Sequence, residues 1–218
     1  MNIKHINENE DRYPKLLKEI TEKPSPLFYA GRLPQSDELC IGIVGTRTAS
    51  DYGKKMSHKI AKDLANLGIT VVSGLALGVD TAAHTGTLKA KGHTISVLAH
   101  GLDTIYPHEN TSLAHRILET GGCLISEYPE GTGIKKEHFL ERNRLISGLS
   151  MAIVVIEAPA RSGALNTTRY AIEQNRDVFV IPGSIDSNQY TGSHRLIRQG
   201  ATLIRNAEDI VADLGLDV

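Results

Sequence analysis

Tryptophan is absent from this chain and phenylalanine occurs only three times. The core must therefore be aliphatic, which suits parallel strands rich in Val, Ile and Leu. Cysteine is scarce as well. Cys40 and Cys123 both fall inside apolar runs, far apart in sequence, and read as buried reduced thiols and not as a disulfide framework. No apolar stretch reaches membrane-spanning length, and the start, "MNIKHINENEDRYPK", is polar with no signal-type hydrophobic region. A membrane partner is not expected, and the cytoplasm is the expected compartment. What is present is enough for a core: 40% of the 218 residues are apolar and 22% charged. That is the composition and size of one α/β domain, with or without a small appendage.

The net charge of −1 does not announce a polyanion binder, but the distribution is uneven. Residues 135–205 hold ten basic groups against six acidic ones, which leaves +4 there and −5 on the remainder. After Lys136 every basic residue of this kind is arginine. Arginine offers phosphate the better fork, although an Arg-rich half also fits a solvated surface.

From residue 39 the chain alternates with little wasted length. "LCIGIVG", "ITVVSG", "HTISVLA", "GCLISE", "MAIVVIE" and "DVFVIP" are short, β-branched and bounded by Gly, Pro or polar residues. They read as strands buried on both faces. Helical lengths lie between them, near 51–67, 79–91, 109–120, 139–149, 163–175 and 192–200, and "NAEDIVADLG" adds a short acidic helix. In the first, Met56, Ile60, Leu64 and Leu67 recur at helical spacing, and Gly68 marks its end. The fold class is α/β, a doubly wound, mostly parallel sheet with helices on both faces. Residues 1–38 offer one short helix, a Pro-rich bend and a strand at "LFYAG". They read as an N-terminal edge extension of the domain formed by residues 39–218.

Ligands of such sheets collect beyond the C-terminal strand ends. The first of the six runs leads into "GTRTAS", where Gly45 permits a tight turn and a helix opens near Ser50 or Asp51, its free N–H groups facing the crevice into which Arg47 is expected to project. The second leads into "SGLALGVDTAAH", with Ser73, Gly74 and Gly78 as a small-residue turn. Asp80 there reads as a cap or a ligand, and His84 as a core histidine or a base. The fifth leads into "APARSGALNTT", where Arg161, Ser162 and Gly163 open another helix. After the sixth, "YTGSHRLIRQG" brings His194, Arg195 and Arg198 toward the rim. Small residues, helix starts and arginines thus converge on one crevice suited to anions. The spacing is not G-x-G-x-x-G, and no Walker loop, nucleophile elbow or metal-ligand spacing occurs. No cofactor, metal or catalytic group is expected. Glu127 and Glu157 each end a strand, and pairing with Arg142 or Arg144 is their simplest use.

"KKEHFLERNRLISG" approaches the same edge. Lys136 and Phe139 lie three apart, on one face if the helix begins early enough. A cation beside an exposed ring is what an unpaired nucleic-acid strand needs, the cation for phosphate and the ring for a base. Phe139 equally fits plain core. Arg142 and Arg144 are two apart and point different ways on a helix. One is expected to reach the crevice, the other to brace a buried carboxylate.

Together "IGIVGTRTAS", "VVSGLALGVDTAAH", "SEYPEG", "FLERNRLISGLS", "VVIEAPARSGALNTTRYAIEQNRDVFVIPGSI" and "GSHRLIRQGATLI" resemble the DNA-processing protein DprA family, also called Smf, from about residue 12 to 205. The resemblance implies an extended Rossmann-like domain that binds single-stranded DNA without strong sequence preference. It implies a homodimer that protects incoming DNA in natural transformation and helps load the RecA recombinase. By match to the family's motif, Arg47 takes a phosphate and Lys136 and Phe139 are the lysine and stacking aromatic. Arg142, Asn143 and Arg144 would line the pocket with Thr46, Gly74, Ser162, Gly163 and Arg195. The family's usual proline after the phenylalanine is Leu140 here, and "SGALNTT" replaces its small-Ser-Leu turn. Members often carry a SAM-like domain before this fold and a winged helix after it, and neither is expected within these 218 residues. The competing readings are an enzyme or sensor for a small nucleotide, and a protein-interaction scaffold. Nucleoside-monophosphate hydrolases of related fold use "PGG-x-GT-x-x-E", where this chain has "PGSIDSN".

Overall fold

Aliphatic strands whose side chains are buried on both sides must sit in the middle of a layered domain, and that is where they are found. A computed structural model describes residues 1–217. One sheet holds β1 (Lys4–Ile6), β2 (Leu27–Gly31), β3 (Cys40–Val44), β4 (Thr70–Ser73), β5 (Thr94–Leu98), β6 (Cys123–Ser126), β7 (Ala152–Val155), β8 (Asp177–Val180) and β9 (Thr202–Leu203). Their order across it is β1-β2-β6-β5-β4-β3-β7-β8-β9. Neighbours from β6 through to β9 are parallel, while β1–β2 and β2–β6 are antiparallel. The six central strands are the six apolar runs of the sequence. β1 escaped that reading because three residues, only one of them buried, are too few to show a period.

Alternate side chains of each strand feed two cores. Cys40 and Val44 of β3 join Ile153 and Val155 of β7 on one face, under α1 (Lys15–Lys18), α5 (Lys136–Gly148), α6 (Ala164–Glu173) and α7 (Thr191–Arg198). Ile41 and Ile43 with Ala152 and Val154 face the other side, under α2 (Asp51–Asn66), α3 (Val79–Lys89) and α8 (Ala207–Asp213). α4 (Thr111–Glu119) closes that side at the β5–β6 end. In α2, Ile60 and Leu64 are fully buried, Met56 and Leu67 partly so, and Gly68 at φ +76° ends the helix.

The winding reverses between β3 and β7, which are adjacent although 107 residues lie between Val44 and Ala152 along the chain. Each helix that follows a parallel strand begins at the strand's C-terminal edge. The starts of α2, α3, α5, α6 and α7 are therefore gathered on one rim. α5 begins at Lys136, three residues before the sequence-based start at 139, after an extended Lys135. Glu137 in its first turn complements the helix dipole.

The opposite edge is tied by one carboxylate. Glu38 accepts from Arg32 Nη1 at 2.7 Å, from the Gln35 N–H at 3.1 Å and from the Thr70 hydroxyl, and pairs with His93 Nδ1 at 2.6 Å. Burial pushes its carboxyl up, but the bonds from His93, Arg32 and Thr70 outweigh that and hold it well below the usual carboxylate range. A depressed folded-state pKa gives stability that is present above the ordinary value near 4.5 and lost as pH falls below it. Glu38→Gln is expected to cost about 1–3 kcal/mol at pH 7. Urea titrations should show the gap between variant and parent closing as the pH is lowered through 4.

Candidate nucleic-acid interface

The turn after β3 is clamped from two sides. The Thr46 N–H donates to the Glu157 carbonyl at 2.8 Å, and the Val79 N–H donates to the Thr46 carbonyl at 3.2 Å. Gly78, at φ +80°, makes the second contact possible, since a Cβ there would lie 2.5 Å from the Thr46 oxygen. Thr46 itself is buried, with its hydroxyl against that of Thr48 at 3.2 Å. Arg47 is pushed outward and exposed. Its guanidinium lies 5.0 Å from the centre of the Phe139 ring, and among the described residues no carboxylate comes within ion-pair distance of it.

α5 supplies the other wall. Lys136 is exposed at its first position, Phe139 is half-buried one turn later, and Arg142 is only 4% exposed a turn below that. Arg142 Nη1 donates to the carbonyls of Gly74, at 2.9 Å, and Val97, joining the ends of β4 and β5. Gly74 is the glycine this approach requires: a Cβ there would stand 2.6 Å from Arg142 Nη2 and 2.8 Å from Asp80 Oδ2. Burial lowers the Arg142 pKa to about 10; Asp80 opposes that shift and Arg47 adds to it. Asp80 is the cap of this turn, accepting from the N–H groups of Gly74 (3.1 Å) and Ala76 (3.2 Å), and burial pushes its carboxyl up. Asn143 donates to the Gly163 carbonyl at 3.3 Å, which holds the start of α6, where Ser162 accepts from the Ala164 N–H.

The arginine pair divides its work. Arg142 turns to the strand ends as a buried part of the floor, whereas Arg144 turns away, to Glu127 and, at 3.7 Å, to Glu22. Arg144, a pocket candidate on sequence, is thus committed to carboxylates. Glu157 departs from expectation, because no arginine pairs with it. It accepts from the Ser50 N–H at 3.1 Å, the Ser50 hydroxyl at 2.6 Å and the Tyr190 hydroxyl at 3.1 Å. The start of α2, read from sequence as open to a ligand, is filled by this side chain. Arg195 is exposed at mid-helix in α7 and makes no described contact with the groups above. Arg198 ends the same helix, about 10 Å along its axis from the rim. His84 is a buried core histidine bonded to the Thr94 hydroxyl at 2.8 Å, and burial lowers its pKa to about 3.

Two rings were missed. Tyr106 meets Phe139 edge-on with centroids 5.9 Å apart, and His108 meets Tyr106 in the same manner at 6.3 Å. The signal was available in "DTIYPHEN", residues 103–110, in the segment between β5 and α4. Beyond them Tyr128 and His138 stack at 4.1 Å. A half-exposed aromatic row flanked by Arg47 and Lys136 can take flat, apolar faces joined by negative charge.

Comparison with known proteins agrees with this chemistry. The sequence pattern of DNA recombination-mediator protein A matches residues 4–215. The chain is 43% identical to Protein Smf of Synechocystis over 98% of its own length and 54% of that protein, so it spans little more than half of that relative. The X-ray structure of DNA processing protein A from Streptococcus pneumoniae superposes with a TM-score of 0.89 at 40% identity, covering 97% of this chain and 74% of that one. DNA processing protein A from Helicobacter pylori, whose structure concerns its single-stranded DNA binding mode, gives 0.85 at 30% identity, covering 98% and 95%. With its Rossmann-like sheet, its clamped Gly-Thr-Arg turn and its rim of rings and cations, the chain belongs to the DNA recombination-mediator protein A family.

Proposed function

We propose that this chain binds single-stranded DNA without strong sequence preference, acts as a homodimer in the cytoplasm, and supports RecA loading in natural transformation and recombination. One observation carries the DNA contact: the Arg47 guanidinium lies against the half-buried Phe139 ring on the rim where Lys136 also stands. Cations offset phosphates, while a ring or a planar guanidinium stacks on the face of any base, so such a surface is tolerant of sequence. Tyr106 extends the row by one ring. The likeness to the Helicobacter pylori protein supports the same ligand. The homodimer and the RecA partnership are part of the proposal, and the recombination-mediator family gives support to the second. The role is that of a binder, and no catalytic step is assigned to it.

In fluorescence-anisotropy titrations with oligo-dT, Arg47→Ala and Lys136→Ala should each weaken binding and shallow the log–log salt slope by about 0.7. Phe139→Ala should cost about 1–3 kcal/mol with little change in slope. Binding by Arg47→Ala at the parent's affinity would sink the assignment.

Floor and surface should separate by stability. Arg142→Ala leaves Asp80 buried without its cation and two carbonyls without a donor, an expected loss of about 3 kcal/mol. Exposed Arg47→Ala should change stability by less than about 0.5 kcal/mol. Urea denaturation of the two variants measures both, and adding Asp80→Asn to Arg142→Met should recover part of the loss.

A further inference from the structure

In doubly wound folds the helix after the first parallel strand commonly receives a phosphate at its N-terminus. Here that helix is α2, at the switch point beside β7, and the position is occupied from within. Glu157 follows β7 and is fully buried. Its Oε1 accepts from the Ser50 N–H, and its Oε2 accepts from the hydroxyls of Ser50 and Tyr190. The Ser50 hydroxyl, while donating to Glu157, accepts from the Gly53 N–H at 3.0 Å. Gly53 faces the carboxylate so closely that a Cβ would stand 2.0 Å from Oε2. Among the described residues no basic group lies within ion-pair distance of Glu157, so one N–H and two hydroxyls receive its charge.

We infer that Glu157 is a resident anion that specifies against nucleotides. Its carboxylate takes the place of a phosphate at the start of α2 and closes the switch point to phosphate monoesters. A main-chain N–H, a serine hydroxyl, a tyrosine hydroxyl and a glycine that permits close approach together make a phosphate-type donor set, drawn from segments far apart in the chain. Burial and the adjoining carboxylate push the Tyr190 phenol above its usual range, so its hydroxyl remains a donor. A monoester arriving there meets both a filled space and a like charge. Any anion on this turn is left with its outer side, where Arg47 projects.

The test is thermal unfolding of the whole chain in inorganic phosphate, formate or chloride at equal ionic strength. The parent's Tm in each salt sets the general salt effect, together with any anion held outside by Arg47, and the variant's gain is read above it. Glu157→Ala should unfold at a lower temperature in chloride and regain about 2–4 °C in formate or phosphate. Adding Tyr190→Phe should reduce that gain. No anion-specific gain in Glu157→Ala, or an equal gain in the parent, overturns the inference. Should Glu157→Ala not fold, Glu157→Gln keeps the shape and removes the charge. Its Tm should fall by several degrees, and a parental Tm would overturn the inference. Neither readout involves DNA, so this inference and the proposed function fail or stand separately.

Discussion

The rim depends on a buried guanidinium. Arg142 reaches from α5 to the carbonyls at the ends of β4 and β5, and in doing so sets the height and rotation of the helix that carries Lys136 and Phe139. A lysine has the charge but a single nitrogen, whereas Arg142 meets both carbonyls through Nη1 and the Asn143 side-chain oxygen through Nε. The cost of burying this cation is offset by Asp80 and the two carbonyls, and Gly74 leaves the room for all of them. Because α5 is fixed through Arg142, one turn beyond Phe139, the ring stays on the surface while one face packs against Arg47.

The Gly-Thr-Arg turn separates two destinations for negative charge. On its inner side Glu157 takes the donors at the start of α2, and on its outer side Arg47 remains free of carboxylates among the described residues. One short loop therefore does opposite things on its two faces: it satisfies a buried anion and presents an unpaired cation. The backbone bond from Thr46 to the Glu157 carbonyl couples them, since the segment that carries the plug also holds the turn.

Much of this was legible in the sequence because parallel strands buried on both faces leave continuous apolar runs, and all six such runs are strands. Gly45, Gly74 and Gly78 marked the turns for the same reason, as positions where backbone or a side chain comes too close for a Cβ. What escaped depends on contacts between distant segments. Nothing local tells that Glu157 meets Ser50, 107 residues away, and not an arginine. Helical spacing told that Arg142 and Arg144 diverge, but which of them faces the strand ends is set by how α5 packs on the sheet. Tyr106 was overlooked for a different reason. It lies in an irregular segment after β5, where no period draws attention to a ring.

The electrostatics of the rim couple its two arginines. Arg47 raises the cost of charging Arg142, and burial already disfavours that charge. The Arg142 guanidinium nevertheless stays charged near neutral pH, because even the lowered value of about 10 stands well above it. The two cations therefore repel each other in the free protein, with Asp80 placed to compensate the inner one alone. An anion beside Arg47 relieves that repulsion as well as meeting Arg47 directly. Under the proposed function, part of the attraction for a phosphate would thus be stored in the fold, by a floor cation the ligand need never touch.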